Sequence, residues 1–170
     1  MTQDAARSIN DRLGSAIGHV WQGQFGFGGA AAPGHQIVAQ IEAVLGNGGD
    51  DIVHVEFQSN ERRVASQLEM TLLVFTSDFV LHIKVDAGKR PTTRVVPRAT
   101  LSDLRVTSAV VDFPSDGQFA TTSLEVALTY PAVGEVTLPF NDHDDRGAKT
   151  LASLLESLPT DLLRGTGAER

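Results

Sequence analysis

The sequence predicts an α+β fold: seven strands in a strongly bent antiparallel sheet or barrel, capped by a C-terminal helix and preceded by two N-terminal helices. Two periodicities and one set of breaks predict it. Between Val53 and Phe140 apolar residues recur at every second position, the rhythm of strands with one buried face. On either side they recur at three- and four-residue spacings, the rhythm of amphipathic helices. Gly, Pro, Asn, Asp and Ser punctuate the short runs and mark turns.

The first helix spans 4–21, with Ile9, Leu13, Ile17 and Val20 on one stripe. Gly14 and Gly18 weaken it by up to ~1 kcal/mol each relative to Ala. Gly23 to Gly34 is a Gly/Ala-rich linker. After Pro33-Gly34 a second helix covers about 35–45, with Ile37, Ile41, Val44 and Leu45 on its apolar face, and Asn47-Gly48-Gly49 ends it.

The strands follow. Val53, Val55 and Phe57 alternate with His54 and Glu56; Leu68, Met70, Leu72 and Val74 form the second run; Phe79, Leu81, Ile83 and Val85 the third. A tight Thr76-Ser77-Asp78 link makes the second and third a hairpin. A shorter strand at 93–97 ends at Pro97, which has no N–H for a ladder. Over 103–113 the apolar phase switches between Leu104/Val106 and Ala109/Val111/Phe113, which predicts a bulge or sharp bend. Pro114-Ser115-Asp116-Gly117 is a turn. Leu124 to Tyr130 and Val136 to Phe140 form a final hairpin, with Pro139 on the outward phase. The last helix begins near Asp142, presents Ala148, Leu151, Leu154, Leu155 and Leu158, and stops at Pro159. The expected organisation is therefore a helical extension (1–50), a barrel with its helix (51–160) and a tail (161–170).

The chain has 170 residues, no cysteine and a net charge of -7. Disulfides, thiolate zinc sites and thiol catalysis are thereby excluded. The negative balance argues against nucleic-acid binding, which needs many phosphate contacts from Lys and Arg. Residues 1–12 lack the basic start and apolar run of a secretory signal, and no apolar run reaches the ~18 residues of a membrane span, so a cytoplasmic protein is expected. Residues 62–105 hold eight basic residues against four acidic ones, a local +4 on a chain whose remainder carries -11.

The order of elements, with Phe75–Leu81 as a strand–turn–strand, Val96–Leu104 after it and the leucine helix at Leu151, Leu154, Leu155 and Leu158, resembles the bacterial branch of the pleckstrin-homology-like (PH-like) superfamily. The basic residue usual after the turn is replaced by Phe79, and the two N-terminal helices have no counterpart in the minimal domain. The resemblance implies a binding or assembly module. It also implies that the first and third inter-strand loops open at one end, where members that hold phosphoinositides carry basic residues. Arg62, Arg63, Lys89 and Arg90, with Lys84 nearby, form the corresponding candidate site for an anionic ligand or headgroup.

No catalytic motif emerges. Gly26 to Ala31 formally fits a dinucleotide pattern, but no strand precedes it and Pro33-Gly34 separates it from the next helix, so it reads as linker. Asp142, His143, Asp144 and Asp145 read as helix-start residues rather than metal ligands. His54 and His82, with Glu56, Glu69 and Glu125, fall on outward strand phases and are expected in solvent. No cofactor or metal is called for. The chain is thus expected to be a non-enzymatic module that recognises protein, most simply itself as a homo-oligomer. The spare helix faces at Ile9, Leu13, Ile17, Trp21, Ile37 and Ile41 supply the expected interface.

Overall fold

The computed structural model describes residues 3–18, 21, 32–46, 49–60, 69–112, 120–140 and 145–167. Its helices are α1 (Gln3–Ile17), α2 (Pro33–Leu45) and α3 (Asp145–Gly167). Its strands are β1 (Ile52–Ser59), β2 (Met70–Thr76), β3 (Phe79–Val85), β4 (Thr92–Pro97), β5 (Asp103–Asp112), β6 (Ala120–Tyr130) and β7 (Gly134–Leu138). A single 3-10 turn, Arg98–Thr100, follows β4. No helix among the described residues is long and apolar enough to cross a membrane.

The strands make two sheets, β1-β2-β3-β4 and β5-β6-β7, each an antiparallel meander. The single bent sheet or barrel expected from the sequence is corrected to this pair. The chain changes sheets after the 3-10 turn, where the Ser102 backbone N–H and hydroxyl both donate to the Thr129 carbonyl. The Ser77-Asp78 turn joins β2 to β3 as expected, with Thr76 Oγ1 accepting the Phe79 N–H at 2.9 Å. The phase switch in β5 is a register shift between Val106 and Ser108.

The first sheet is buried on both faces. Alternation sends Leu72, Val74, Leu81 and Ile83 into one core with Ile9, Leu13, Ile37 and Ile41 of α1 and α2. It sends Leu73, Phe75, Val80 and Val96 into a second core with Val126, Leu128 and Leu138 of the other sheet and Leu154 and Leu158 of α3. Each such side chain contributes ~1.5–3 kcal/mol on burial, so both layers are held by the first sheet. This corrects the expected interface. Ile9, Leu13, Trp21, Ile37 and Ile41 are fully buried, and Ile17 packs partly buried against them. Their apolar faces are satisfied within the chain. Trp21 is fixed further by its indole N–H, which donates to Asn10 Oδ1 at 2.9 Å.

Two helix ends also differ from expectation. α2 closes at Gly46, whose φ of 69° lets its N–H reach the Glu42 carbonyl, just before the expected Asn47. α3 passes through Pro159 and includes residues 161–167 of the expected tail. Proline removes one helical hydrogen bond, but tertiary contacts on its far side hold the helix together. Leu162 packs on the second core, Asp161 is buried, and Gly165 approaches the Ala99 carbonyl so closely that a Cβ there would sit 2.5 Å from it.

Candidate functional site: a basic cleft between diverging sheets

Three polar clusters lie on the face of the first sheet that meets the second sheet and α3. The first ties α3 down. Arg98 donates from Nε and Nη2 to Asp161 Oδ2 (2.9 and 2.5 Å), from Nη2 to Ser157 Oγ (2.5 Å) and from Nη1 to the Thr76 carbonyl (2.9 Å). Both charged partners are buried. Tyr130 is nearby, and burial pushes its phenol well above the ordinary range, Arg98 opposing and Asp161 assisting. This cluster is a clamp, since every group in it faces protein.

The second cluster corrects an expectation. His54 and Glu56 are 2% and 0% exposed rather than solvated, because α3 and the segment after β7 cover the polar phase of β1. His54 Nδ1 lies 2.8 Å from Thr150 Oγ1, and Nε2 lies 2.6 Å from Glu56 Oε1. Glu56 Oε2 accepts the Phe140 N–H at 2.9 Å. Thr150, His54 and Glu56 stand in the order of a nucleophile, base and carboxylate. Their surroundings do not suit that chemistry. Thr150 Oγ1 donates to the Gly147 carbonyl at 3.0 Å, so its one proton is directed away from His54. The adjoining hollow is small, about 60 Å³. The geometry of the cluster is that of a brace joining β1, β7 and α3.

The third cluster is open. The second face of the first sheet grades from apolar at one end to polar at the other. Strand register places Val80 opposite Val96, then His82 opposite Arg94, then Lys84 opposite Thr92. On β2, Phe75, Leu73 and Thr71 face the same three β3 residues. The apolar row is sealed by the second core, while beyond it a cleft opens towards β7. Its larger part, about 450 Å³, lies between His82, Lys84 and Thr71 on one side and Val133, Val136 and Phe140 on the other. A second part of about 250 Å³ shares His82, Lys84 and Val133 and reaches Arg94 and Thr93. Arg94 donates from Nη1 to the Ala132 carbonyl in the β6–β7 turn.

The electrostatics of this cleft are one-sided. His82 is half-buried, not solvated as expected, and its imidazole is held below the ordinary value of 6.5 by burial, then by Lys84 and Arg94. Neither Lys84 nor Arg94 has a carboxylate within ion-pair distance among the described residues. Glu135, which lines the cleft, pairs with Arg105, and Asp86, two residues beyond Lys84, pairs with Lys89.

Of the basic residues expected to form a loop site, Lys84 is the one that lines the cleft among the described residues. Lys89 and Arg90 are exposed on the β3–β4 turn, where Lys89 pairs with Asp86 at 3.2 Å. Arg62 and Arg63 lie outside the described residues, as do the Gly26–Ala31 pattern, the 114–117 turn and Asp142 to Asp144. His82 and Arg94 were missed as site residues. Their signal was an outward strand phase combined with a cross-strand register that only the paired sheet reveals. No family model, curated protein or solved structure matches the chain. Geometry is therefore what speaks to function.

Proposed function

We propose that this chain is a non-enzymatic binding module of PH-like architecture whose recognition site is the cleft between its two sheets. The observation that carries this reading is the hollow beyond Val80 and Val96, lined by residues of both sheets and mixed polar and apolar, of ligand size. The four-plus-three order of strands and the long C-terminal helix support the PH-like assignment. The Thr150–His54–Glu56 chain favours recognition over catalysis, because the Thr150 hydroxyl donates to the Gly147 carbonyl rather than to His54. A fragment screen read by amide chemical shifts tests the proposal. Binders should perturb Thr71, His82, Val133 and Thr137 together. Binders that perturb only other surfaces, or a screen without any binder, would refute it.

Self-association is a second reading, on a different surface from the one the sequence suggested. Phe79 and Val95 are 40% and 41% exposed and lie on one face of neighbouring strands, and β4 is an edge of its sheet. Antiparallel pairing of β4 with β4 of a second copy would cover both. Light scattering should then give a dimer that Val95→Lys dissociates, and a monomer at all concentrations would dismiss this reading.

A further inference from the structure

We infer that the cleft binds an oxyanion, phosphoryl or carboxylate, carried on a small apolar body. This rests on the cleft being the recognition site and adds the chemistry of its occupant. Three nitrogen-bearing side chains converge there because of strand register. His82 and Lys84 are two residues apart on β3 and so share a face, and Arg94 is the cross-strand partner of His82. Like charges placed this closely on one sheet face repel each other. In most folds a carboxylate among them removes that cost, and this chain has an excess of acids from which to supply one. None of the described carboxylates does so; Asp86 and Glu135 point to Lys89 and Arg105 instead. The arrangement therefore has a deficit of one or two negative charges at a defined place, which an anion fills.

The donors suit an oxyanion. Lys84 supplies a mobile point charge, Arg94 a planar fork fixed at one nitrogen by the Ala132 carbonyl, and His82 an N–H. Thr71 and Thr137 line the same cleft. The opposite wall is Val133, Val136 and Phe140, all partly buried, which offers nothing to a bare inorganic ion but covers an aliphatic or aromatic group well. Cationic floor and apolar wall together call for an amphipathic anion. An anion would also favour the charged form of His82. Among the charged groups facing that imidazole, Lys84 from β3 and Arg94 from β4 oppose its protonation, while Glu135 of β7 lies across the cleft and is held by Arg105.

The experiment titrates the full chain with 1-naphthyl phosphate, 1-naphthol and inorganic phosphate, read by amide and His82 side-chain chemical shifts. Naphthyl phosphate should bind in the cleft, and more tightly than either fragment. The Lys84→Gln/Arg94→Gln variant, whose replaced side chains are exposed and whose unchanged spectrum confirms folding, should bind at least about tenfold more weakly, the loss of one charge-assisted hydrogen bond. Co-sedimentation with phosphatidylcholine vesicles, with and without phosphatidylglycerol, identifies the source of the anion. Variant-sensitive pelleting only with phosphatidylglycerol supports a lipid headgroup, and cleft binding of naphthyl phosphate without pelleting supports a free small molecule. Equal binding of naphthol and naphthyl phosphate, or undiminished naphthyl phosphate binding by the variant, overturns the inference. If neutral fragments occupy the cleft while every anion fails, the oxyanion is wrong and the binding-module reading stands. If nothing occupies the cleft, both fall.

Discussion

Arg94 and Arg98 stand four residues apart, at the two ends of the same inter-sheet space, and the fold treats them in opposite ways. Arg98 is buried, and its guanidinium meets Asp161, Ser157 and the Thr76 carbonyl. Arg94 is exposed at the cleft, beside a histidine and near a lysine, with one carbonyl as its recorded partner. The difference teaches where this architecture spends its acidic residues. At the closed end an acid is brought from α3, 63 positions along the chain, to neutralise a single cation. At the open end Glu135 lies at the rim and pairs with Arg105 instead. Charge satisfaction at one end builds the frame, and at the other two cations are left without an acidic partner among the described residues, the place where we propose that an anion binds.

The comparison breaks most visibly at the clamp. Asp161→Ala strands a buried guanidinium and should lower unfolding stability by about 3–5 kcal/mol, read from denaturant midpoints. Replacing both partners, as Arg98→Met with Asp161→Leu, should restore most of that loss. An Asp161→Ala variant as stable as the parent would mean that the clamp contributes no more than the open end does. The brace is next. Glu56→Gln replaces the buried carboxylate that contacts His54 Nε2 and accepts the Phe140 N–H, and should cost about 1–3 kcal/mol by the same measurement.

The smallest effect belongs to the cleft. The folded state holds the pKa of His82 below 6.5, so the unfolded chain takes up a proton first as pH falls. The stability associated with neutral His82 is therefore fully present above about pH 6.5 and is lost as pH drops from there towards the folded value. Unfolding free energies at about pH 7.5 and about pH 5.5 should differ less in His82→Gln than in the parent. An unchanged difference would remove His82 from the imbalance.

Much of the frame was legible in the sequence. The alternation from Val53 onward located the strands, the Thr76–Asp78 link gave a hairpin, and the phase switch beyond Val106 marked the β5 bulge. These are local signals, set by which side chains share a face. What was not legible depends on what covers a face. His54 and Glu56 read as wet because polar residues alternate there with apolar ones, and only the packing of α3 and the segment after β7 shows that their phase is buried. The N-terminal stripes read as spare because the first sheet, at the sequence level, had only one apolar face to offer; β2 and β3 in fact supply apolar side chains to both sides. Pro159 read as a stop because its missing N–H is a local fact, whereas Asp161 and Leu162 hold the helix beyond it through distant partners. Of the cleft, Lys84 was visible as a basic residue near a patch. His82 and Arg94 became neighbours only through the β3–β4 register.

Gln40 of α2 grips β4 from the side opposite the cleft, accepting the Thr93 hydroxyl at 2.5 Å and donating to the Pro91 carbonyl at 2.8 Å. Thr93 and Pro91 flank Thr92, the residue paired with Lys84 on the cleft floor. A guest that shifts this hairpin by a fraction of an ångström would tug directly on a helix in the far layer. The β3–β4 hairpin is thus tethered by α2 on one side while its other side borders the cleft, so the floor of the cleft and the helical layer share one mechanical support.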